Sequence, residues 1–256
     1  IDGDRLICSP GGKDGMLVAL NKKTGREIWA TKVDDLGERG KDGAGYSTVV
    51  VSEGGGTKQY IQLTGRGLIG VRAKDGKLLW NYNRVANGTA NIPTPIVSGD
   101  HVFASTGYGT GSALLKLSKR GATGVRAEEV YFLESNTLQN HHGGMIRIGD
   151  FLYTGHKHNE GFPICVEISS GDVLWGGDER GPGSGSAAIT AADGHLIYRY
   201  QNGVVALIEA TPDEYRLKAS FTPVHQEKES WAHPVIANGR LLLREQDKLM
   251  CYDLSQ

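Results

Sequence analysis

Three stretches of the sequence align without gaps: LVALNKKTGREIW (residues 17–29), LIGVRAKDGKLLW (residues 68–80) and PICVEISSGDVLW (residues 163–175). Each copy has an apolar residue five positions before a glycine and a tryptophan four positions after it. This arrangement predicts a strand, a tight turn and a returning strand. The glycines at positions 25, 76 and 171 supply a positive φ in the turn, and each tryptophan buries its ring on the returning strand.

Weaker copies of the first strand extend the pattern along the chain. The equivalent positions are Leu20, Val71, Leu117, Val166, Leu207 and Tyr252, separated by steps of 51, 46, 49, 41 and 45 residues. Short apolar strands ending in a turn lie between the copies, so each unit contains four antiparallel strands. Repeats of this length predict an all-β, β-propeller fold in a single domain, with blades at 1–33, 45–83, 93–134, 143–177, 186–222 and 233–256. The alternatives are a β-sandwich, for which the repeat is too regular, and a stacked solenoid, for which it is too long.

The two ends of the repeat are incomplete. The first copy lacks its innermost strand and the last lacks its outermost strand, so we expect 22 strands in six blades. Closing a ring removes the exposed sheet edges of a propeller. We therefore expect the chain to be a fragment of a seven- or eight-bladed propeller.

Composition excludes several classes of protein. The 256 residues include 28 Lys plus Arg and 29 Asp plus Glu, with 39% hydrophobic residues and no long apolar run. A disordered chain, a transmembrane segment and a nucleic-acid partner are therefore not expected. The three cysteines do not form a disulfide framework. We expect three structural thiols, with Cys165 and Cys251 in a slot that favours small buried residues.

Polar residues concentrate in the loops that should share one face of a propeller. These loops connect the fourth strand of one blade to the next blade, or the second strand to the third. The candidate ligand-binding residues on these loops are Arg66, Asn91, Tyr108, His141, His142, His156, His158, Asn159, Trp231 and His233.

The four histidines at 141, 142, 156 and 158 are expected to approach one another. Neutral imidazoles could bind a transition metal, transfer protons or hydrogen-bond a polyol. The alternative is that they satisfy backbone groups beside glycine-rich turns. His141 and His142 would point to opposite faces if the chain is extended there. No metal site and no catalytic residue are assigned.

The pattern x-A-L-[DN]-x-x-T-G-x-x-x-W, seen at residues 18–29, resembles the repeat of the pyrroloquinoline-quinone (PQQ) type propellers. That superfamily includes quinoprotein alcohol dehydrogenases and a non-catalytic scaffold lipoprotein of outer-membrane assembly. Four stretches are similar to bacterial polyvinyl-alcohol-dehydrogenase-like proteins: CSPGGKDG (8–15), ANGTANIPTP (86–95), NHHGG (140–144) and GHKHNEGFP (155–163). The resemblance implies a periplasmic or secreted protein.

The chain departs from the dehydrogenases of that superfamily. They carry a vicinal Cys-Cys disulfide, which is missing here, and an Asp with Ca²⁺ ligands that finds no match. We therefore expect a scaffold that binds a small molecule, a saccharide or other polymer, or a protein on its loop face. The alternative is a PQQ- and Ca²⁺-dependent alcohol or polyol dehydrogenase, with Trp231 stacked on the quinone and His or Arg side chains on its carboxylates.

Overall fold

A computed structural model describes residues 1–254, which form β-strands joined by turns and loops, with one short 3₁₀ turn at Gly54–Gly56. The strands make six antiparallel sheets within this range, four of four strands and two of three. Two compact units divide the chain, one spanning Ile1–Glu134 and one beginning at Ser135. The described residues contain no helix long and apolar enough to cross a bilayer.

The first unit contains three sheets in which consecutive strands pair. The first sheet has three strands and the other two have four. Their bounds are β1 (Arg5–Cys8), β2 (Val18–Asn21), β3 (Glu27–Ala30); β4 (Val50–Ser52), β5 (Gln59–Thr64), β6 (Gly67–Arg72), β7 (Leu78–Tyr82); and β8 (Ile96–Ser98), β9 (His101–Thr106), β10 (Gly111–Arg120), β11 (Gly124–Glu134).

The second unit also contains three sheets of consecutive strands, the last with three. Their bounds are β12 (Met145–Ile148), β13 (Phe151–His156), β14 (Phe162–Glu167), β15 (Val173–Gly176); β16 (Ala187–Ala192), β17 (His195–Tyr200), β18 (Val205–Glu209), β19 (Leu217–Phe221); and β20 (Val235–Ala237), β21 (Arg240–Glu245), β22 (Lys248–Asp253). The expected 22 strands are thus found within residues 1–254.

The turn predicted from the repeat has the same structure in all three copies. Gly25, Gly76 and Gly171 have φ angles of 71°, 72° and 82°, in the left-handed region that favours glycine. Each glycine N–H donates to the carbonyl oxygen four residues earlier, at 2.8, 3.0 and 2.9 Å. The predicted role of these glycines is confirmed.

A small residue faces each repeat tryptophan across the hairpin. Ala19 pairs with Trp29, Gly70 with Trp80 and Cys165 with Trp175, and a β-bulge follows each small residue. Cys165 is therefore buried, as expected. Cys251 is exposed, and the expectation that it is buried is wrong. It lies on β22, which forms an edge of its sheet, and no tryptophan strand covers it in the described part of the chain.

Two of the repeat tryptophans also join neighbouring sheets. The indole N–H of Trp29 donates to the carbonyl oxygen of Ala73 at 3.2 Å, and that of Trp175 donates to Thr211 at 2.8 Å. Both acceptors follow the third strand of the next sheet in the same unit, β6 for Ala73 and β18 for Thr211. Each ring thus packs between its own sheet and the next one, and it donates a hydrogen bond to the next one.

Replacing Trp175 with Phe is expected to lower the unfolding free energy by about 1–2 kcal/mol, because the buried ring remains but the Thr211 carbonyl loses its donor. Urea unfolding of the variant measures this. Trp231→Phe is the matched control, since that side chain is 57% exposed, and it should change stability by less than about 0.5 kcal/mol. Equal losses in the two variants would contradict the bridging role of Trp175.

Candidate functional site

Three histidines and a tryptophan form one cluster in the second unit. The ring centroid of His141 lies 4.5 Å from that of His142 and 4.1 Å from that of His158. The ring of His142 lies 5.4 Å from that of Trp231. We call His141, His142, His158 and Trp231 the histidine–tryptophan cluster. It brings together three loops: the one before β12, the β13–β14 turn and the β19–β20 loop.

Hydrogen bonds attach the loop before β12 to β13. The Asn140 side-chain amide donates to the Thr154 hydroxyl at 2.7 Å and to the Gly155 carbonyl at 3.0 Å. His141 Nδ1 lies 2.7 Å from the Ser186 hydroxyl. The chain bends at residues 142–143 rather than running as a strand. The chain is therefore not extended here, which was the condition for the two rings to point apart, and His141 and His142 contact each other.

Burial keeps the two adjacent imidazoles uncharged. It lowers the pKa of His141 to about 4, helped by the charges of His142 and His158. It also lowers the pKa of His142 to about 4, helped by the charge of His233. Near neutral pH both rings are therefore neutral hydrogen-bonding groups. The buried Nε2 of His142 has no hydrogen-bond partner within residues 1–254.

These shifts make stability depend on pH. The pKa values of about 4 lie below the ordinary value of 6.5, so the unfolded chain binds more protons between those two pH values. The unfolding free energy should fall as the pH falls from 6.5 to 4, by up to about 1.4 kcal/mol per pH unit for each imidazole.

Urea unfolding at a series of pH values tests this dependence. His141→Asn with His142→Asn should flatten it, whereas His225→Asn, at an exposed position, should leave it unchanged. An unaltered slope in the double variant would show that other groups cause the dependence.

Trp231 projects from a loop that is fixed by a buried ion pair. Arg199 and Glu245 have fully buried side chains, 2.8 Å apart. Glu245 also accepts hydrogen bonds from the Ser230 hydroxyl and from the N–H groups of Glu227 and Lys228. Burial by itself would raise the pKa of Glu245, but these hydrogen bonds and the charge of Arg199 outweigh it and lower the pKa. A charged carboxylate thus holds the β19–β20 loop from Glu227 to Ser230.

Two open clefts meet at the same loop and share Glu229. The first, of about 530 Å³, is lined largely by amide, hydroxyl and charged groups, including Ser184, Gln201, Asn202, Gln226 and Lys228. The second, of about 480 Å³, is lined by the Trp231 ring together with Arg244, Gln246 and Asp247. The arrangement offers one apolar ring face beside many hydrogen-bonding groups.

The other predicted residues of the second unit have different surroundings. His156 is buried, and its Nδ1 accepts a hydrogen bond from the Gln139 N–H at 3.2 Å. His156 thus satisfies a backbone group, which is the alternative considered for the loop histidines. Asn159 is exposed in the β13–β14 turn with a φ of 62°. His233 contacts the Ile189 carbonyl at 3.3 Å.

The three candidates in the first unit do not form a cluster of this kind. Asn91 is 2% exposed, and its amide donates to the Gly65 carbonyl at 2.9 Å, which is a structural role. Arg66 pairs with Asp42 at 2.6 Å and lines a cavity of about 190 Å³. Tyr108 occupies a turn with a φ of 57°.

Sequence reasoning missed Arg199 and Glu245. They stand 46 positions apart, about one repeat. Each follows apolar residues on the inward face of a strand: Arg199 shares a face with Ile197, and Glu245 with Leu243. A charge at an inward position of an apolar strand was the available signal.

The surroundings of Trp231 do not fit PQQ. PQQ is a planar tricarboxylate, so its site must supply positive charge. Around Trp231 the clefts present Glu227, Glu229 and Asp247 against Lys228 and Arg244, beside neutral imidazoles. In residues 1–254 no group of three or more His, Cys, Asp or Glu side chains is arranged to hold a metal ion.

Comparison with known proteins places the chain in a family. The family described as outer membrane protein assembly factor BamB matches residues 1–177. BamB from Moraxella catarrhalis is similar in structure, with a TM-score of 0.67 and 12% identity over 98% of this chain and 70% of that one. The quinohemoprotein alcohol dehydrogenase from Comamonas testosteroni has a TM-score of 0.60 and 13% identity, over 94% of this chain and 50% of that one.

A europium-containing methanol dehydrogenase is also similar, with a TM-score of 0.59 and 12% identity over 88% of this chain and 50% of that one. No curated protein sequence matches significantly. At these identities the structural likenesses show the fold alone, and they confirm the β-propeller class. With the family match covering more than two thirds of its length, the chain belongs to the BamB family of PQQ-like β-propellers.

Proposed function

We propose that the chain is an extracytoplasmic binding module that holds a hydroxyl-rich ligand, a saccharide or polyol chain, on the loop face of its second unit. One observation carries the proposal: the Trp231 ring is 57% exposed, yet its loop is fixed to a fully buried ion pair. A rigid exposed aromatic ring contributes binding area at a low entropic cost.

The polar groups beside Trp231 match the chemistry of vicinal hydroxyls. Side-chain amides both donate to and accept from hydroxyl groups, whereas carboxylates accept from them. The first cleft holds the amides of Gln201, Asn202 and Gln226. The buried Oε1 of Gln201 has no hydrogen-bond partner in the described range. Such an acceptor favours a ligand or a water that donates to it.

A protein partner is the second candidate, because the matching family is described as an assembly factor. A stable protein interface buries about 800 Å² on each side. A folded partner would therefore have to contact much more of the chain than Trp231 and its two clefts. The alcohol dehydrogenase alternative receives no support from the site, since the charges around Trp231 do not suit the quinone.

Fluorescence gives a direct test, because Trp29, Trp80 and Trp175 are buried and Trp231 is exposed. Cellohexaose, maltohexaose or polyvinyl alcohol should shift or quench the emission of the exposed ring in a saturable way. Polyethylene glycol is the matched control, since it has ether oxygens but almost no hydroxyl donors. If none of the three probes acts differently from polyethylene glycol, the proposal is wrong. Dye-linked alcohol oxidation after addition of PQQ and Ca²⁺ would support the dehydrogenase instead.

A further inference from the structure

A separate cavity of about 310 Å³ lies beside the loop that joins β15 to β16. It is lined by Pro163, Gly176, Asp178, Glu179 and Tyr215. None of these residues belongs to the histidine–tryptophan cluster or to the two clefts beside Trp231. The cavity is large enough for the end of a long cationic side chain and combines carboxylates with an aromatic ring.

Two buried phenol groups at this place have no hydrogen-bond partner within residues 1–254. They are the hydroxyls of Tyr215, which lines the cavity, and of Tyr200, which is 0% exposed. A buried hydroxyl without a partner is rare in folded proteins and calls for a water or a ligand atom.

The Tyr200 hydroxyl lies behind the wall of the cavity and not among its lining residues. The Tyr200 ring lies against the backbone of Gly183, and its oxygen lies against the backbone of Gly181. A Cβ placed on Gly181 would come within 1.9 Å of the Tyr200 oxygen and within 3.4 Å of Pro163, a lining residue. Glycine at position 181 therefore allows the phenol to reach this point.

The two carboxylates beside the cavity belong to exposed residues that have no ion-pair partner within residues 1–254. Asp178 and Glu179 form no ion pair there, and the neighbouring Arg180 is engaged with Glu160 at 2.5 Å. Tyr215 is held in place by Trp175, with ring centroids 5.8 Å apart. Two carboxylates without an ion-pair partner, the Tyr215 phenol oxygen and its aromatic ring are groups that recognise an organic cation.

We propose that this cavity binds an ammonium or guanidinium group, with Asp178 and Glu179 supplying the charge and the Tyr215 hydroxyl accepting a hydrogen bond. The group can come from a free amine or from a lysine or arginine side chain of a partner protein. The site stands independently of the saccharide proposal, because it shares no residue with the Trp231 surface.

Calorimetric titration at low ionic strength tests the site, with n-butylguanidinium and n-butylammonium as probes. N-butylurea is the control, since it has nearly the shape of n-butylguanidinium but no charge. We expect binding of both cations with affinity in the millimolar range and none of the urea. Asp178→Asn with Glu179→Gln should weaken cation binding by about fivefold or more, and Tyr215→Phe by about threefold.

Glu214→Gln is the matched control variant, because Glu214 is an exposed carboxylate one residue from Tyr215 that pairs with Arg216. It should leave the affinity unchanged. Equal weakening in this variant would reduce the effect to general surface charge and overturn the proposal. Binding of the urea as strongly as the cations, or no binding of either cation, would also overturn it and leave the phenols solvated by water.

The source of the cation is tested in parallel with peptides carrying one arginine or one lysine between glycines. Tighter binding of these peptides than of the free probes, by about tenfold, would indicate a partner side chain. Equal binding would indicate a small free amine. Trp231→Ala should not alter either result, so failure of this site and failure of the saccharide site are distinguishable.

Discussion

Glu245→Ala is expected to lower the free energy of unfolding by about 3–5 kcal/mol. The substitution leaves Arg199 charged and fully buried, without the carboxylate 2.8 Å away. An isolated buried charge is far more costly than a missing surface interaction, because the interior cannot solvate it. The loss also removes the acceptor for Ser230 and for two N–H groups, so the β19–β20 loop loses its anchor. Urea unfolding followed by tryptophan fluorescence measures the change.

The double variant Arg199→Met with Glu245→Leu distinguishes the cost of an unpaired charge from the value of the pair. Apolar side chains of similar length remove both charges, so the part of the loss that comes from the unpaired charge should return. The part that comes from the lost acceptor of Ser230, Glu227 and Lys228 should remain. Arg216→Ala is the surface control: its side chain is 40% exposed and pairs with Glu209 and Glu214. That variant should lose less than about 1 kcal/mol. A small loss in Glu245→Ala would show that water reaches the pair.

Trp231→Ala should weaken the binding of a saccharide or polyol chain by about 10–100-fold, or about 1.4–2.8 kcal/mol. The exposed ring is the apolar face of the proposed site, and alanine retains none of its contact area. Stability should change little, because the ring is 57% exposed. Trp231→Phe retains part of the ring face and should show an intermediate affinity. Calorimetric titration with the oligosaccharide that quenches the wild-type fluorescence gives the affinities.

Tyr46→Ala is the matched control for this loss. Tyr46 is another exposed aromatic side chain, at 72%, and it lies in the first unit. Its removal should leave the affinity unchanged. If both variants lose affinity to the same extent, aromatic side chains are binding the ligand nonspecifically over the surface. If neither does, the ligand binds elsewhere and the proposed role of Trp231 is wrong.

The fold was predictable because the residues that define each hairpin lie close together in the sequence. A turn glycine, a small residue and a tryptophan stand within about a dozen positions, and neighbouring strands pair in sequence order. The pairing of Arg199 with Glu245 was not predictable in this way, since it joins positions on different sheets. Each charge can be noticed at an inward strand position, but nothing in the repeat indicates which other charge it meets.

The candidate site was predictable only in part. The loops of His141, His142 and His158 do meet, as their place in the repeat indicated. The side chains of His156 and Asn91 instead form hydrogen bonds with backbone groups, because the N–H and C=O groups of a buried loop need partners. The bend at residues 142–143 and the orphan phenols of Tyr200 and Tyr215 depend on three-dimensional packing that a repeat alignment does not contain.

The hydrogen bonds of Trp29 and Trp175 have a consequence for how such a chain can grow. Each indole donates to a main-chain carbonyl of the following sheet, and every residue type has such a carbonyl. The hydrogen bond therefore does not restrict which side chain the accepting residue carries. A duplicated or transplanted blade could form this one bond with any new neighbour, whereas the side-chain packing and the buried ion pair between sheets would still have to match.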